Sequence, residues 1–235
     1  MNLTETVLYS CGISLFTSFG IQKVEAKRPN ILFIMTDQQR YDMLSCAGNR
    51  YVHTPSLDQL AENGVRFERN YCANPVSMPS RFAMITGRFA GEIGYTNNST
   101  KPDTLRVLPV ARESSVGNLF RNAGYETIYS GYPGFYCGRT DITDYGFIQN
   151  GMDFYDGPSN FAESFFAGYK PEEDKPFFLY LSFMNPHDIC YGAGFDPRFP
   201  DKLRPHQIAA TQKYINFRKT LSEEEYRNQI PPVPA

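Results

Sequence analysis

The sequence predicts an α/β fold with a mostly parallel sheet, because strand-like and helix-like segments alternate along the chain. Two runs of mostly apolar residues, 31–35 and 177–183, are typical of strands buried on both faces of a sheet. Each run ends in polar residues, and open α/β sheets bind their ligands at such strand ends. Alternating strands and helices favour a parallel sheet that is flanked by helices.

The first helix–strand unit runs from Thr54 to Phe67. Thr54 can cap the helix, Pro55 suits its first turn, and Gly64 suits an end in the left-handed conformation. Residues 65–67 then predict a short strand.

The same pattern recurs later in the chain. Residues 116–124 predict a helix that ends at a glycine, and residues 125–129 predict the strand that follows it. Residues 205–228 predict one or two polar helices, whereas the proline-rich residues 230–235 predict a loop.

Composition indicates an ordinary globular protein with one core. The chain has 235 residues, of which 41% are hydrophobic and 20% charged. Because its net charge is only -2, we expect neither a nucleic-acid partner nor a basic membrane-binding patch. The five cysteines, at positions 11, 46, 72, 137 and 190, lack the spacing of a metal site. We therefore expect free, mostly buried thiols, with Cys72 in the core.

The N-terminus predicts an export signal. Residues 7–21 are mostly apolar and carry no Asp, Glu, Lys or Arg, and Val24 and Ala26 suit a signal peptidase. Residues 1–26 would then be a signal peptide and residues 27–235 the folded domain, which would lie in the periplasm or outside the cell. The alternative is a frayed helix or strand. We expect no stable membrane insertion, because the stretch is short and interrupted by glycine.

Polar clusters that could carry chemistry follow the predicted strands, at 37–40 and 186–188, and surround a predicted helix at 77–88. Pro79 suits the first turn of this helix, which places Ser77 just before its N-terminus. Backbone N–H groups and the helix dipole favour an anion there, and Arg81 and Arg88 add positive charge. The alternative is that Ser77 only caps the helix and Arg81 lies on its solvated face.

The order Ser77-Met78-Pro79-Ser80-Arg81, followed by Ile85-Thr86-Gly87-Arg88, resembles the signature of the sulfatase family. Residues 28–37, 54–67 and 177–187 also resemble sulfatases, in the same order along the chain. The resemblance covers roughly residues 28 to 190. It implies an alkaline-phosphatase-like sandwich with a mostly parallel central sheet flanked by helices. Members of the family are longer, so the resemblance also implies a catalytic domain that is truncated at its C-terminus.

The resemblance further implies a reaction. Ser77 matches the residue that a serine-type bacterial maturase oxidises to formylglycine (3-oxoalanine). One hydroxyl of the hydrated aldehyde would attack sulfur and displace the alcohol of a sulfate ester, such as a sulfated small molecule or glycan. The other would then lose its proton as the aldehyde re-forms and sulfate leaves.

By the same resemblance, one Ca²⁺ per active site would be bound by Asp37, Gln38 and residue 77. Arg81 would act beside the nucleophile, and His187 would contact the sulfate or the leaving group. His53 and His206 receive no role.

The sequence departs from the family in two places. After Gly131 the family has a Lys and a His that bind sulfate, whereas this chain continues Tyr132-Pro133-Gly134. The second pair of metal ligands and a further substrate-binding Lys are also missing after His187. Three hypotheses remain: a sulfatase, a related phosphatase or phosphodiesterase that uses unmodified Ser77, and an inactive sulfatase-like protein that binds a sulfated glycan.

Overall fold

A computed structural model describes residues 28–98, 109–132, 142–150, 156–171, 175–187 and, near the end of the chain, residues 212, 216, 217 and 219–229. The predicted signal peptide, the predicted final loop and most of the tail before residue 219 lie outside the described residues. No helix of the described segments is long and apolar enough to span a membrane.

Strands and helices alternate as the sequence predicts. The strands are β1 (Ile31–Asp37), β2 (Glu126–Gly131), β3 (Ile148–Asn150) and β4 (Phe177–Pro186). The helices are α1 (Pro55–Asn63), α2 (Ser77–Thr86), α3 (Pro109–Glu113), α4 (Val116–Asn122), α5 (Gly157–Gly168) and α6 (Glu223–Gln229). The described residues also form three 3₁₀ turns, at Tyr41–Met43, Ser45–Ala47 and Ile142–Tyr145.

The four strands form one parallel sheet in the order β1-β4-β2-β3. The prediction of an α/β fold with a parallel sheet is therefore confirmed. Parallel strands end at the same edge of a sheet, so the residues that follow β1 and β4 lie close together. In the β1–β4 ladder, Leu32 pairs with Leu179 and Asp37 pairs with Pro186.

The two faces of the sheet are covered by different helices. On one face, Phe82 and Ile85 of α2 pack with aromatic residues of β2 and β4, including the stacked pair Tyr129–Tyr180, whose ring centroids are 4.7 Å apart. On the other face, Phe161 and Phe165 of α5 pack against an apolar cluster of the same strands, formed by Ile128, Phe177, Leu179 and Leu181. Burial of these side chains is the main stabilising contribution to the fold.

Close packing of β2 against β4 requires a glycine at position 131. Gly131 has φ +100° in the last position of β2, and a Cβ atom there would overlap the carbonyl oxygen of Ser182. Only glycine adopts this conformation without strain and leaves the necessary space. The ends of β2 and β4 are thereby held in direct contact beside the candidate site.

The prediction that β1 is buried on both faces is wrong for the described residues. Leu32 is 45% exposed and Ile34 is 53% exposed, whereas Leu179, the β4 partner of Leu32, is fully buried. The physical reason is that β1 lies at the edge of the described sheet, where the cluster that covers this face, formed by α5 with β2 and β4, includes no residue of β1. An apolar run predicts a strand, but it does not distinguish an edge strand from a central one.

Within residues 54–67 the predicted helix forms as α1, Pro55–Asn63, but its two ends differ from the prediction. The Thr54 hydroxyl contacts the carboxylate of Asp58 and accepts from the Ser45 backbone N–H, so it ties α1 to the preceding turn instead of capping the helix. Gly64 is extended, with φ −134°, and not left-handed. Residues 65–67 form no strand, and Val65 is 79% exposed.

The second predicted unit is confirmed. Helix α4 ends at Asn122, Gly124 has φ +87°, and β2 follows at once. Helix α6 agrees with the prediction of a polar helix in the tail.

The prediction of buried thiols fails for the two cysteines in the described residues, since Cys72 is exposed and Cys46 is half-buried. Cys72 lies in the loop before α2, where no strand or helix directs its side chain toward the core.

Candidate active site

A pocket of about 570 Å³ lies at the edge of the sheet where β1 and β4 end. It is reached by residues that are far apart in sequence: Asp37 and Gln38 from the end of β1, Ser77 from the start of α2, and His187 from the end of β4. The other described residues that line it are Gln39, Cys72, Asn74, Pro75, Val76, Ser80 and Asn98. Residues from all three polar clusters predicted from the sequence therefore line this pocket.

Ser77 is the first residue of α2. The sequence predicts it one position earlier, just before the helix begins. Its hydroxyl Oγ donates to Asp37 Oδ2 over 3.1 Å. Val76 precedes it in an extended conformation, and Pro79 lies within the first turn. Ser77 therefore presents its hydroxyl to a carboxylate at the wall of the pocket, at the positive end of the helix dipole.

Arg81 lies one turn further along α2 and is buried, so the alternative that it occupies a solvated face is wrong. Its guanidinium nitrogens donate to Asp37 Oδ2 over 2.8 Å and to Ser182 Oγ over 2.7 Å. A longer bond of 3.4 Å reaches the Tyr132 carbonyl oxygen, and the guanidinium lies 5.0 Å from the centre of the Tyr132 ring. One fork thus joins the ends of β1, β2 and β4 to helix α2.

The Arg81–Asp37 ion pair is almost fully removed from water, with side-chain exposures of 4% and 9%. Removal of either partner from such a pair leaves an uncompensated buried charge and costs about 3–5 kcal/mol. The pair also determines what Ser77 meets, because Asp37 Oδ2 is shared between the guanidinium and the Ser77 hydroxyl.

Two buried tyrosines near Arg81, Tyr129 and Tyr180, are neutral hydrogen-bond donors. Burial raises the pKa of Tyr129 to about 12, so its phenol remains protonated at physiological pH. The Tyr129 hydroxyl donates to the Tyr132 carbonyl oxygen over 2.8 Å. Burial also raises the pKa of Tyr180. Because both phenols are neutral, the charge opposite to that of Arg81 in this cluster is carried by Asp37.

Gln38 is the one residue other than glycine with a positive φ, +59°, in the described chain. This left-handed conformation costs a side-chain-bearing residue roughly 1–2 kcal/mol. The strained turn brings Gln38 and Gln39 into the wall of the pocket beside Asp37. Local strain of this kind is often found at functional sites.

His187 is half-buried and lines the same pocket as Ser77. Its backbone N–H donates to the Met184 carbonyl oxygen over 3.1 Å, which closes a turn at the end of β4. The structure thus brings four of the five predicted site residues into the pocket wall and holds the fifth, Arg81, directly behind Asp37.

Arg88 is not part of this site. It follows the far end of α2 and lines a different cavity, with Met84 and Phe89. Helix α2 has ten residues and is therefore about 15 Å long, which separates Ser77 at its start from the residues that follow its end.

The described residues contribute little to a metal site. Within the described ranges, no group of three or more His, Cys, Asp or Glu side chains is placed to hold a metal ion. Asp37 and Gln38 offer oxygen donors beside Ser77, but Ca²⁺ takes about 6–8 oxygen ligands. These residues have the right chemistry for Ca²⁺ but do not complete a site for it.

Three residues around the site were not predicted from the sequence. Ser182 was visible as a polar residue within the apolar run of β4, and such a residue in a buried strand signals a polar partner. Tyr132 and Asn98 lie in loops without any local signal. Of the loop that follows β2, residues 133–141 lie outside the described residues, as does Asp188.

Comparison with known proteins gives a consistent result. The family model described as Sulfatase matches residues 29–223. N-acetylglucosamine-6-O-sulfatase of Bacteroides thetaiotaomicron is 35% identical over 130 residues, which cover 55% of this chain and 22% of the relative. Human arylsulfatase D is 32% identical over 178 residues, which cover 70% of this chain and 30% of the relative.

A similar solved structure is that of a protein in complex with its substrate D-glucosamine-2-N,6-O-disulfate. It has a TM-score of 0.53 and 25% sequence identity, and the match covers 76% of this chain and 39% of the other. The chain therefore spans between about a fifth and two fifths of the length of these proteins. The match to the family model spans most of the chain and includes the strands and the helix that form the pocket, so this chain belongs to the sulfatase family.

Proposed function

We propose that this chain carries the nucleophile of a sulfuric ester hydrolase, with Ser77 as its site of conversion to formylglycine. The observation that carries this proposal is the shared contact of Ser77 Oγ and Arg81 with Asp37 Oδ2, at 3.1 and 2.8 Å, in the wall of a pocket. The alternative that Ser77 only caps the helix is not met, since the N-cap position is Val76 and the Ser77 hydroxyl is directed to Asp37. The signature residues are thus joined by contacts as well as by sequence.

Each side chain then has a task that follows from its position. Asp37 accepts a hydrogen bond from the Ser77 hydroxyl and so orients it in the wall of the pocket. Arg81 holds Asp37 in place through a fork that also binds Ser182. His187 also lines the pocket, where it would contact the sulfate or the leaving group of a bound ester.

Formylglycine, once formed, would supply an oxygen nucleophile that is regenerated in each turnover. Conversion of Ser77 requires a maturase that removes two hydrogen atoms from its side chain, so we propose such an enzyme as a partner. Asp37, Gln38 and residue 77 would be the ligands that this chain provides to a Ca²⁺ ion. Further ligands would have to come from residues outside those described.

We propose a sulfated sugar as the substrate class. One relative is named for N-acetylglucosamine 6-O-sulfate and a similar structure contains D-glucosamine-2-N,6-O-disulfate. The pocket volume of about 570 Å³ is sufficient for a ligand of monosaccharide size. We further propose that residues 1–26 direct export to the periplasm or the exterior and that residues 27–235 belong to the catalytic domain.

A second candidate is an inactive sulfatase-like protein that binds a sulfated glycan. It is favoured by the observation that no Lys or Arg is among the described residues lining the pocket. The guanidinium of Arg81 is already engaged by Asp37 and Ser182. A site without a free cation could bind an anion through neutral donors yet stabilise the transition state poorly.

The test is hydrolysis of an aryl sulfate by the full chain, co-expressed with a serine-type maturase and assayed with Ca²⁺. We expect hydrolysis that falls about a thousandfold or more in Ser77→Ala, because that variant cannot carry the nucleophile. Ser159→Ala is the matched control, since Ser159 is exposed on α5. Binding of a sulfated sugar without hydrolysis would support the second candidate, and hydrolysis of an aryl phosphate in its place would favour a phosphatase.

A further inference from the structure

Helix α2 begins at the candidate nucleophile without a capping side chain of its own. The N-cap position is Val76, whose side chain cannot accept a hydrogen bond. The Ser77 hydroxyl is directed to Asp37, and Pro79 has no N–H. Ser80 N–H already donates to the Val76 carbonyl oxygen over 2.9 Å. The first turn is therefore left with the backbone N–H groups of Ser77 and Met78 to satisfy.

Asn98 supplies one of the missing partners from twenty residues downstream. The Met78 N–H donates to Asn98 Oδ1 over 3.1 Å. A backbone N–H is only a donor, so its partner must be the carboxamide oxygen, and this contact fixes the orientation of the amide. Asn98 thereby does for α2 what an N-cap residue does in most helices.

The same contact leaves the amide nitrogen of Asn98 available. Asn98 is exposed and lines the pocket together with Asp37, Ser77 and His187. Its two amide N–H groups make no hydrogen bond within the described part of the chain. They are donors held beside the nucleophile by a bond to the backbone of the adjacent residue.

We propose that Asn98 is both a positioning residue for Ser77 and a donor to an oxygen of the substrate's sulfate group. The first role rests on the structure alone, and the second rests on the proposed sulfatase function. A tetrahedral anion needs several donors, and the guanidinium of Arg81 is already shared by Asp37 and Ser182. A neutral amide that is fixed in direction supplies such a donor without adding charge.

Two substitutions separate the two roles. Asn98→Asp keeps an oxygen acceptor of the same shape, and a carboxylate at a helix N-terminus caps at least as well as an amide. It replaces the N–H donor by a negative oxygen, which repels sulfate. Asn98→Ala removes acceptor and donor together. Asn97→Asp is the matched control, because it adds the same charge one residue away and Asn97 is not among the residues that line the pocket.

The first measurement is the Tm of the full chain in sulfate-free buffer. We expect Asn98→Ala to lower Tm by about 2–4 °C, since loss of a cap of ordinary strength has this effect in a chain of this size. Asn98→Asp should keep the wild-type Tm. A wild-type Tm in Asn98→Ala would overturn the positioning role, whether or not the protein hydrolyses sulfate esters.

The second measurement is KM for an aryl sulfate, with the rise of Tm caused by inorganic sulfate as a readout that does not require turnover. We expect Asn98→Asp to raise KM about tenfold or more and to reduce the sulfate-dependent rise of Tm, whereas Asn97→Asp changes neither. A wild-type KM and a wild-type response to sulfate in Asn98→Asp would overturn the donor role. Absence of hydrolysis in the wild type would count against the proposed function, and the response to sulfate would still decide the role of Asn98.

Discussion

Strands β1 and β4 both end at the candidate site, but they are held there in different ways. β4 lies between β1 and β2, and its residues 177–182 are buried. β1 pairs with β4 alone in the described sheet, and Leu32 and Ile34 remain 45% and 53% exposed. β4 is therefore positioned by packing on both faces, whereas the end of β1 depends on the bonds that Asp37 makes to Arg81 and Ser77.

This difference explains why one arginine has so many partners. Arg81 donates to Ser182 within the rigid strand β4 and to Asp37 at the end of the less supported strand β1. The guanidinium fork thus links the buried strand β4 to the carboxylate that contacts Ser77. A carboxylate held only by an edge strand would be placed less accurately.

The largest expected effect is on the core of β4. We expect Leu179→Ala to lower the free energy of unfolding by about 3–5 kcal/mol, because it leaves a cavity at a fully buried position. Leu32→Ala, the same substitution at its partner across the β1–β4 ladder, should cost about 1 kcal/mol, since Leu32 is largely exposed. Urea denaturation of both variants measures the difference.

Equal costs for the two leucine substitutions would contradict the assignment of β1 to an edge with one face open. They would show instead that Leu32 is covered in the protein in solution. Leu32 and Leu179 are paired directly across the β1–β4 ladder, so the two substitutions are compared at the same level of the sheet.

The next effect concerns the contact between β2 and β4. We expect Gly131→Ala to cost about 3 kcal/mol, because it combines a left-handed conformation with overlap of the Ser182 carbonyl oxygen. Gly48→Ala is the matched control, with φ +94° and open space around its Cβ position, and should cost only about 1–2 kcal/mol. Thermal unfolding checks both, and a tolerated alanine at 131 would refute the close approach of the two strands.

A smaller change in stability, with a larger change in activity, is expected for Arg81→Lys. Lysine keeps the charge but cannot bind Asp37 and Ser182 in the same fork, so we expect a loss of about 2 kcal/mol in unfolding free energy. Hydrolysis of an aryl sulfate should fall at least about tenfold, because Asp37 is no longer held.

Arg227→Lys provides the control for this substitution, since Arg227 forms an exposed pair with Glu223 on α6 and should change stability by less than about 0.5 kcal/mol. Wild-type activity in Arg81→Lys would mean that the position of Asp37 does not depend on the fork. The role that we give to Arg81 would then be wrong.

The sequence predicts the strands and helices well because their signals are local. The apolar runs of β1 and β4, the glycine after α4 and the proline in the first turn of α2 each lie within the element that they indicate. The family signature adds the site residues, and the parallel sheet then explains why the ends of β1 and β4 come together.

The features that the sequence did not predict depend on contacts between distant segments. Strand order decides that β1 lies at the edge of the described sheet, and residues 65–67 pair with no described strand although two of the three are apolar. Thr54 meets Ser45 and Asp58 instead of the backbone of α1. The contact of Asn98 with Met78 spans twenty residues of sequence and has no local pattern at all.

We propose Ser77 as the site of a formylglycine nucleophile that Asp37 and Arg81 hold in place. Peptide mass spectrometry on the chain co-expressed with a serine-type maturase tests it most directly. We expect the peptide that contains residue 77 to be lighter by two hydrogen atoms, and we expect no such change in Ser77→Ala. A fully unmodified Ser77, under conditions in which the same maturase converts a known serine-type sulfatase, would contradict the claim.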